Sequence, residues 1–395
     1  MIGFDEAIER IRPLAHPLGL EEVSLAEAHR RVLAVPVKAL VAAPRTDVSA
    51  MDGYAVRDAD LARLPARLRI AGESFAGGGY EGLLEQGECV RIFTGAPVPA
   101  GADRVVVQEV VRREDDLALF EAAPGPARHI RKAGSDFLQG DILLQEGTFL
   151  GPRQLVAAAA ADLDMLAVWR RPKLMVLSTG DELTEPGTAR HQSGTIPESV
   201  SFGVAAAAEQ WGASYMGRAG LADRLGELEQ AAALALRDAD LVVVTGGASV
   251  GEKDFAKPMF EPQGLELVFS KVAIKPGKPV WLGRAGGRVV LGLPGNPTSA
   301  MVTARLFLAP LLAGLTGRDP ASALRWRKLP LAGAVPPVGD RETFARGRSE
   351  DDGVRILSNQ DSSAQKALAE CDLLVRLRPG IAGTSPGQTV EVLDF

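Results

Sequence analysis

Two apolar runs of this sequence each end in a cluster of glycine, hydroxyl and carboxylate residues. Lys173–Ser178 is followed by Thr179–Glu182, and Leu241–Thr245 is followed by Gly246–Asp254. Backbone N–H groups of glycine-rich segments can cradle an anion, and carboxylates can hold a Mg²⁺ ion that bridges to phosphate. Because open α/β sheets bind ligands at the carboxyl ends of their strands, the pair predicts a metal-assisted phosphate or nucleotide site. Either segment alone is also explained by an ordinary turn that leaves a strand.

A lysine-rich segment follows further along the chain, with Lys271, Lys275 and Lys278 in nine residues. On an extended strand Lys271 and Lys275 share one face and stand on the order of 13 Å apart. This spacing is too large for one phosphate but suits two anionic groups of an extended substrate. Pro276 and Gly277 predict a turn that brings Lys278 back to the same rim. A solvated charged face is the alternative.

The segment Leu291–Pro297 joins a predicted strand to a long predicted helix, Pro297–Leu315. Asn296 suits the N-cap position and Pro297 the first helical position, so capping alone would explain both residues. The N–H groups of this helix start would also suit an anion, and Pro294 and Pro297 border it. The chain lacks the P-loop pattern and lacks G-x-G-x-x-G after a strand, which argues against both of those nucleotide-binding classes.

Further polar clusters lie outside this part of the chain. Asp47–Ala55, Phe93–Pro97 and Ala133–Asp136 combine carboxylate, hydroxyl and glycine residues, and each is also explained as a turn. Ser358–Ser363 is either a solvated loop or a small oxyanion site completed by Arg346. Spacing alone does not decide between these interpretations.

The spacing of apolar residues predicts the elements that position these clusters. Strands alternate with helices after Arg171, which indicates an α/β domain with a mostly parallel, helix-covered sheet. Short apolar runs cut by Gly and Pro predict β structure between Leu64 and Ala123 and again after Arg318. The predicted helices lie around Phe4, Ile8 and Ile11 and at Val23–Leu33, Leu155–Ala167, Val200–Trp211, Asp223–Arg237 and Pro297–Leu315. The predicted strands are Arg67–Ala71, Glu88–Phe93, Asp103–Val111, Ala118–Glu121, Lys173–Ser178, Ser214–Ala219, Leu241–Thr245, Arg325–Leu331, Arg341–Arg348, Val354–Leu357, Leu373–Leu377 and Thr389–Leu393.

The composition excludes several classes of protein. The 395 residues carry 44 Lys and Arg against 50 Asp and Glu, a net charge of −6, whereas a nucleic-acid coat needs a basic face. No apolar run reaches the roughly 18 residues of a membrane span, and Asp5, Glu6 and Glu9 argue against a signal peptide. Two cysteines and four histidines support neither a disulfide framework nor a zinc cluster. We therefore expect a cytoplasmic multidomain protein in which carboxylates hold any metal, which points to Mg²⁺.

Taken in order, the clusters resemble the MoeA family of molybdopterin molybdenumtransferases, whose relatives include the C-terminal domain of gephyrin. The resemblance covers the chain from about residue 5 to its last residue. Each motif is weak alone, and the ordered set is very specific. The matching segments are Ser49–Ala55, Thr94–Ala96, Gly134–Asp136, Ser178–Leu183, Thr245–Gly251, Ala273–Pro279 and Gly292–Pro297.

The resemblance implies an α/β multidomain fold. Residues 1–50 and 133–170 would form an elongated helical or linker domain, and residues 51–132 an inserted β domain. Residues 171–320 would form the α/β domain that binds adenylylated molybdopterin, and residues 321–395 a C-terminal β domain.

The resemblance also implies the chemistry. Family members cleave the adenylate phosphoanhydride with a divalent cation and insert molybdenum from molybdate into the dithiolene, which yields molybdenum cofactor and AMP. They are elongated homodimers with an active-site cleft shared by two chains, so we expect Asp52 to act on the partner's site. A molybdopterin adenylyltransferase and molybdoenzymes are the expected protein partners, with no nucleic acid and no membrane.

Site residues are carried over only where this sequence matches the family. The catalytic residues implied are Asp52, Asp136, Asp223, Asp254, Lys271 and Lys275. The metal ligands implied are Glu182, Asp223 and Asp254. The substrate-binding or anion-binding residues implied are Thr94, Thr179, Gly180, Gly246, Gly247, Ser249, Lys278, Pro294, Pro297, Arg346, Ser362 and Ser363.

This sequence departs from the family at two positions. Val200 replaces a usual Asn, which removes one polar substrate contact, and Asp162 replaces a usual Gly that has a structural role. Two other functions stay open. The α/β domain also resembles molybdopterin adenylyltransferases, and the whole fold can serve as a catalytically silent scaffold.

Overall fold

The computed structural model describes residues 1–246 and 255–395. Helices occupy Phe4–Ile11, Pro152–Ala160, Val200–Gln210, Leu225–Asp238, Pro297–Thr303, Ala309–Leu315 and Gln365–Glu370. A π-helical turn, Ala304–Leu308, joins two of these into one continuous helix from Pro297 to Leu315. Gly246 is the last residue described before the gap, so the predicted site residues Gly247, Ser249 and Asp254 lie outside the described residues.

A six-stranded sheet forms the centre of the α/β domain. Four neighbouring strands of this sheet are parallel, as the alternation of strands and helices in the sequence predicted. The last two strands are antiparallel, so the sheet is mixed rather than purely parallel. In spatial order the strands are Ser214–Leu221, Lys173–Thr179, Leu241–Thr245, Arg288–Leu293, Trp281–Ala285 and Glu266–Phe269.

A second six-stranded sheet forms the β domain between residues 53 and 120. Its central strands are buried on both faces: Cys89 and Phe120 belong to the core on one face, and Val90 belongs to the core on the other. In spatial order they are Arg104–Val107, Gly53–Val56, Glu88–Ile92, Ala66–Ser74, Leu117–Phe120 and Val111–Glu114.

The C-terminal sheet takes in a strand from the α/β part of the chain. Ile274–Lys275 pairs in parallel with Glu342–Glu350, so the lysine-rich segment lies where the central and C-terminal domains meet. The other strands are Leu373–Leu377, Thr389–Asp394, Arg327–Pro330 and Gly353–Ile356. Phe4 of the first helix packs against Phe307 and Phe344, so one apolar core joins these two domains and the first helix.

Short two-stranded pairs connect the segments on either side of the β domain. They join Leu20–Ser24 to Met165–Trp169, Val37–Lys38 to Ile142–Leu144, and Val48–Ser49 to Ile130–Arg131. A further pair, Leu183–Thr184 with Ile196–Pro197, lies beside the central sheet.

Two helix predictions are wrong in this region. The predicted helix Val23–Leu33 is a strand, Leu20–Ser24, followed by turns. The predicted helix Leu155–Ala167 ends at Ala160, and Met165–Trp169 is the strand that pairs with Leu20–Ser24. The spacing of apolar residues suggested helices, but backbone pairing between segments far apart in the chain decides the structure here.

The continuous helix Pro297–Leu315 corrects the expectation about apolar runs. It has 19 residues and is long and apolar enough to cross a membrane by length and composition. Its most apolar stretch is 89% buried inside the protein, where it contributes to the central core. It is a core helix of this structure.

Candidate functional site

A cavity of about 790 Å³ opens at the carboxyl ends of the parallel strands. It contains eight of the residues predicted from the sequence, namely Thr179, Gly180, Glu182, Asp223, Gly246, Pro294, Pro297 and Ser363. The other residues that line it are Leu183, Ile196, Pro197, Glu198, Ser199, Val200, Thr245, Pro279, Gly295, Asn296 and Gln365. The ends of the four parallel strands, the starts of the helices at Val200 and Pro297 and a loop of the C-terminal domain thus meet at one site, where α/β sheets bind ligands.

Glycines at the two strand ends are required by the backbone. Gly246 has a φ of +98°, and a Cβ there would lie 2.3 Å from the carbonyl oxygen of Thr179. Gly180 has a φ of +147°, and a Cβ there would lie 2.8 Å from Oε2 of Glu182. The absence of side chains lets the two strand ends approach each other and leaves backbone exposed to a ligand.

Glu182 and Asp223 are the carboxylates that line the described part of the cavity together with Glu198. Oδ1 of Asp181 accepts the backbone N–H of Asp223 at 3.0 Å, which ties the loops of two neighbouring strands together. Among residues 1–246 and 255–395, no group of three or more His, Cys, Asp and Glu side chains is arranged to hold a metal. Two carboxylates nevertheless fit Mg²⁺, which keeps several waters and takes further oxygen ligands from substrate phosphates.

The helix start at Pro297 is arranged differently from the prediction. Asn296 occupies the N-cap position, but its side chain does not cap the helix. Its Nδ2 instead donates to Oγ of Ser362 at 3.1 Å, and the N–H of Thr298 donates to the carbonyl of Ser362 at 3.2 Å. The helix start is therefore joined to the C-terminal loop, which leaves Ser363 facing the cavity.

Arg346 stabilises the C-terminal loop that contains Ser362 and Ser363. It is fully buried, and Nη1 donates to the carbonyl of Asp361 at 2.8 Å while Nε and Nη2 reach Oε1 of Gln360 at 3.4 Å. Burial lowers the pKa of Arg346. The N–H and Oγ of Ser363 donate to Oδ1 of Asp361 at 2.8 and 2.7 Å, and these bonds lower the pKa of Asp361. Arg346 does not line the cavity, so its contact with an anion stays a prediction.

The lysine-rich segment follows the predicted alternation. Val272 and Ile274 are buried, and Lys271 and Lys275 are exposed. The regular strand contains only Ile274–Lys275. Lys271, Lys275 and the exposed Lys278 do not line the cavity, whereas Pro279 next to Lys278 does. Their roles stay predictions.

Asp52 and Thr94 meet in the β domain, away from the residues that line the cavity. Oδ1 of Asp52 accepts both the N–H and the O–H of Thr94 at 2.7 Å, and these bonds lower the pKa of Asp52. Asp136 is exposed, and its backbone N–H donates to the carbonyl of Ala43 at 3.0 Å. The chain therefore does not bring Asp52, Thr94 or Asp136 to its own cavity.

Glu198 is a cavity residue that the sequence analysis missed. It is 5% exposed and accepts the N–H of Ser201 at 2.8 Å, the Oγ of Ser201, and Nη1 of Arg218 at 3.3 Å. An acidic residue just before a predicted helix was the available signal. Val200 lines the same wall, so the change from the family's Asn falls on the cavity surface.

Comparisons with known proteins cover the chain from end to end. Residues 2–161 match the MoeA N-terminal region (domain I and II), and residues 328–395 match the MoeA C-terminal region (domain IV). Between them, residues 175–314 match a probable molybdopterin binding domain.

Full-length relatives agree with these matches. The molybdopterin molybdenumtransferase of Haemophilus influenzae is 36% identical, with 100% of this chain and 99% of that protein aligned. The molybdopterin molybdenumtransferase of Synechococcus elongatus is 35% identical, with 95% of this chain and 94% of that protein aligned. The crystal structure of the MoeA molybdopterin biosynthesis protein of Pyrococcus horikoshii has a TM-score of 0.85 at 29% identity, over 100% of this chain and 99% of that one.

These comparisons confirm the α/β multidomain fold with a central α/β domain and a C-terminal β domain, and they confirm that the chain is an enzyme. The predicted domain boundaries and site residues stay predictions. By sequence and by structure, the chain belongs to the molybdopterin molybdenumtransferase family.

Proposed function

We propose that the chain inserts molybdenum from molybdate into adenylylated molybdopterin, with Mg²⁺-dependent release of AMP. Transfer of molybdenum to molybdopterin follows from membership of the family. The adenylylated form of the substrate, the release of AMP and the divalent cation are the proposed details.

One observation carries the proposal: a single cavity combines glycine-lined strand ends with the carboxylates of Glu182, Glu198 and Asp223 and with the helix start at Pro297. A diphosphate presents negative oxygens that backbone N–H groups can bind, as at Gly180, Gly246 and the start of the helix at Pro297. Carboxylates repel phosphate unless a cation lies between them. A diphosphate with its divalent cation therefore matches both kinds of residue at once.

We assign the metal, the diphosphate and molybdate to different residues according to the chemistry of their side chains. Glu182 and Asp223, together with Asp254, would hold the Mg²⁺ ion, which would neutralise the negative charge of the diphosphate. The hydroxyl of Thr179 and the backbone of Gly180 and Gly246 orient the diphosphate. Ser363 lines the cavity, and Ser362, Ser363 and the loop bonded to Arg346 would receive molybdate.

The proposed reaction balances with one hydrolysis and one ligand exchange. Water breaks one P–O bond of the phosphoanhydride, so AMP leaves and molybdopterin keeps its own phosphate. The two dithiolene thiols then bond to molybdenum through sulfur, and their two protons leave with one molybdate oxygen as water, with no change in oxidation state. Lys271, Lys275 and Lys278 would neutralise the anions that enter and leave.

A homodimer with a shared cleft accounts for the position of Asp52 and Thr94. Both lie in the β domain and do not line the cavity of their own chain. In the proposed dimer they would complete the partner's site, where Asp52 and Asp136 would be the further carboxylates that contact the substrate. Delivery by a molybdopterin adenylyltransferase, transfer to molybdoenzymes and a cytoplasmic location belong to the same proposal.

The test is an incubation of the protein with adenylylated molybdopterin, Mg²⁺ and molybdate, in which AMP and molybdenum cofactor are measured together. We expect AMP to appear only when molybdate and a divalent cation are both present. Release of AMP at the same rate with and without molybdate would contradict the proposal. Adenylylation of molybdopterin from ATP would favour the adenylyltransferase instead. Sedimentation velocity on the same sample tests the dimer.

A further inference from the structure

Aromatic and cationic side chains form a ladder on the β domain beside Asp52. The rings of Phe75 and Phe93 are stacked with centroids 4.8 Å apart and planes 10° apart. The guanidinium carbon of Arg91 lies 4.8 Å from the centre of the Phe93 ring and 5.1 Å from that of Tyr54. The ladder thus runs from Tyr54 in the buried sheet out to Phe75 at the surface.

The outer end of the ladder is fixed and open. Phe75 is held by two backbone hydrogen bonds with Gly78, of 2.9 and 3.0 Å, and Arg91 donates to the carbonyl of Gly53 at 2.8 Å. Phe75 is nevertheless 47% exposed although Phe93 stacks on it, so part of its ring surface is open to solvent. A rigid aromatic ring with exposed surface is suited to stacking on a flat ligand.

A carboxylate with spare acceptor capacity lies next to this ring stack. Thr94 follows Phe93 in the chain, and both of its hydrogen bonds to Asp52 go to Oδ1. Among the described residues, no hydrogen bond reaches the other oxygen, Oδ2 of Asp52. The same hydrogen bonds keep the pKa of Asp52 low, so the group is ionised at neutral pH.

We propose that Phe75 and Asp52 bind the pterin ring of the substrate: Phe75 stacks on the ring, and Asp52 accepts hydrogen bonds from its amino edge. A pterin presents an amino group and a ring N–H side by side, two donors for the two lone pairs that remain on Oδ2 of Asp52. Adenine, the other flat ring of the proposed substrate, presents one donor beside one acceptor on its corresponding edge. The carboxylate therefore selects the pterin.

The lining of the cavity in the α/β domain supports binding of the pterin ring and of the diphosphate at two separate places. No aromatic side chain is among the described residues that line it, so that cavity offers anion-binding groups without a stacking surface. The inference rests on the proposed function, because the β domain of one chain reaches the substrate only if the two chains share a cleft. The pterin then lies on one chain and the diphosphate on the other.

The test compares equilibrium binding of adenylylated molybdopterin and of AMP to variants of the full-length protein, without divalent cation and under anaerobic conditions. Phe75→Ala should raise the Kd for adenylylated molybdopterin about tenfold and leave the Kd for AMP unchanged. Phe75→Tyr keeps the ring and should bind within twofold of the wild type. Leu83→Ala removes another exposed apolar side chain of the same domain, 65% exposed, and is the matched control.

Steady-state kinetics give a second readout that a merely structural role would not produce. The loss in Phe75→Ala should appear in KM for adenylylated molybdopterin rather than in kcat, and Phe75→Tyr should restore it. An unchanged Kd in Phe75→Ala, or an equal loss for AMP, would overturn the inference. Failure of the proposed function would look different, because the wild type would then release no AMP in response to molybdate.

Discussion

Replacement of Gly246 by alanine tests the close approach of the two strand ends that form the cavity. The new Cβ would lie 2.3 Å from the carbonyl oxygen and 2.8 Å from Oγ1 of Thr179, at a φ of +98°. The left-handed backbone alone costs an L-residue about 1 kcal/mol. Thr179 ends a central strand that pairs on both sides, so its carbonyl cannot withdraw freely, and the overlap adds about 2 kcal/mol. We expect the free energy of unfolding to fall by about 3 kcal/mol in total.

Gly287→Ala is the matched control for this prediction. Gly287 has a φ of +76° in the turn between two strands of the same sheet, and a Cβ there would have nothing within 4 Å. Urea unfolding of both variants, followed by circular dichroism, should give about 1 kcal/mol for Gly287→Ala and about 3 kcal/mol for Gly246→Ala. Equal losses would refute the reasoning, because the overlap with Thr179 would then contribute nothing. AMP release should be impaired only in Gly246→Ala.

Three further predictions concern charge and thiol chemistry. Asp223→Asn removes one proposed ligand, so the Mg²⁺ concentration for half-maximal AMP release should rise at least about tenfold, and an unchanged Mg²⁺ titration would exclude that role. Burial raises the pKa of Asp240, but hydrogen bonds from Arg170 and the Lys173 amide outweigh it and lower the pKa overall. The ionised Asp240 carboxylate therefore stabilises the fold at pH values above the ordinary carboxyl pKa near 4, and this stabilisation is lost as the pH falls through the lowered pKa. The free energy of unfolding, measured between pH 7 and 3, should fall less steeply in Asp240→Asn than in the wild type. Burial raises the pKa of Cys89 to about 12 and also raises that of the half-buried Cys371, so a thiol reagent at pH 8 should label the folded protein slowly and at one site, with both thiols reacting fast in urea.

The sequence predicted best those elements whose burial is uniform. Leu241–Thr245 was bounded correctly because five consecutive apolar or β-branched residues between Asp240 and Gly246 suit only a strand covered on both faces. The strand ends at Thr179 and Gly246 could be placed together for the same reason, since parallel strands bring their carboxyl ends to one edge.

The predictions failed where distant segments decide the structure. Leu25, Ala28 and Val32 are spaced as on a helix, yet Leu20–Ser24 lies beside Met165–Trp169 across the inserted domain. Asn296 reads as a helix cap, but Ser362 from another domain provides its partner. Nothing in the local sequence indicated that Arg346 is completely buried, with its donors bonded to the carbonyl of Asp361 and the side-chain oxygen of Gln360. None of these partners is encoded by local spacing.

The pairing of Val48–Ser49 with Ile130–Arg131 has a consequence for how the β domain could be manipulated. The chain enters and leaves this domain through two strands that are hydrogen-bonded neighbours, with Ile130 opposite Ser49. Neighbouring strands lie about 5 Å apart, so a linker of two or three residues would span the cut ends if the whole domain were deleted. The same closeness makes the domain a natural unit for transplantation between relatives. Grafted with its aromatic ladder intact, it would carry ring selectivity from one enzyme to another without altering the diphosphate cavity.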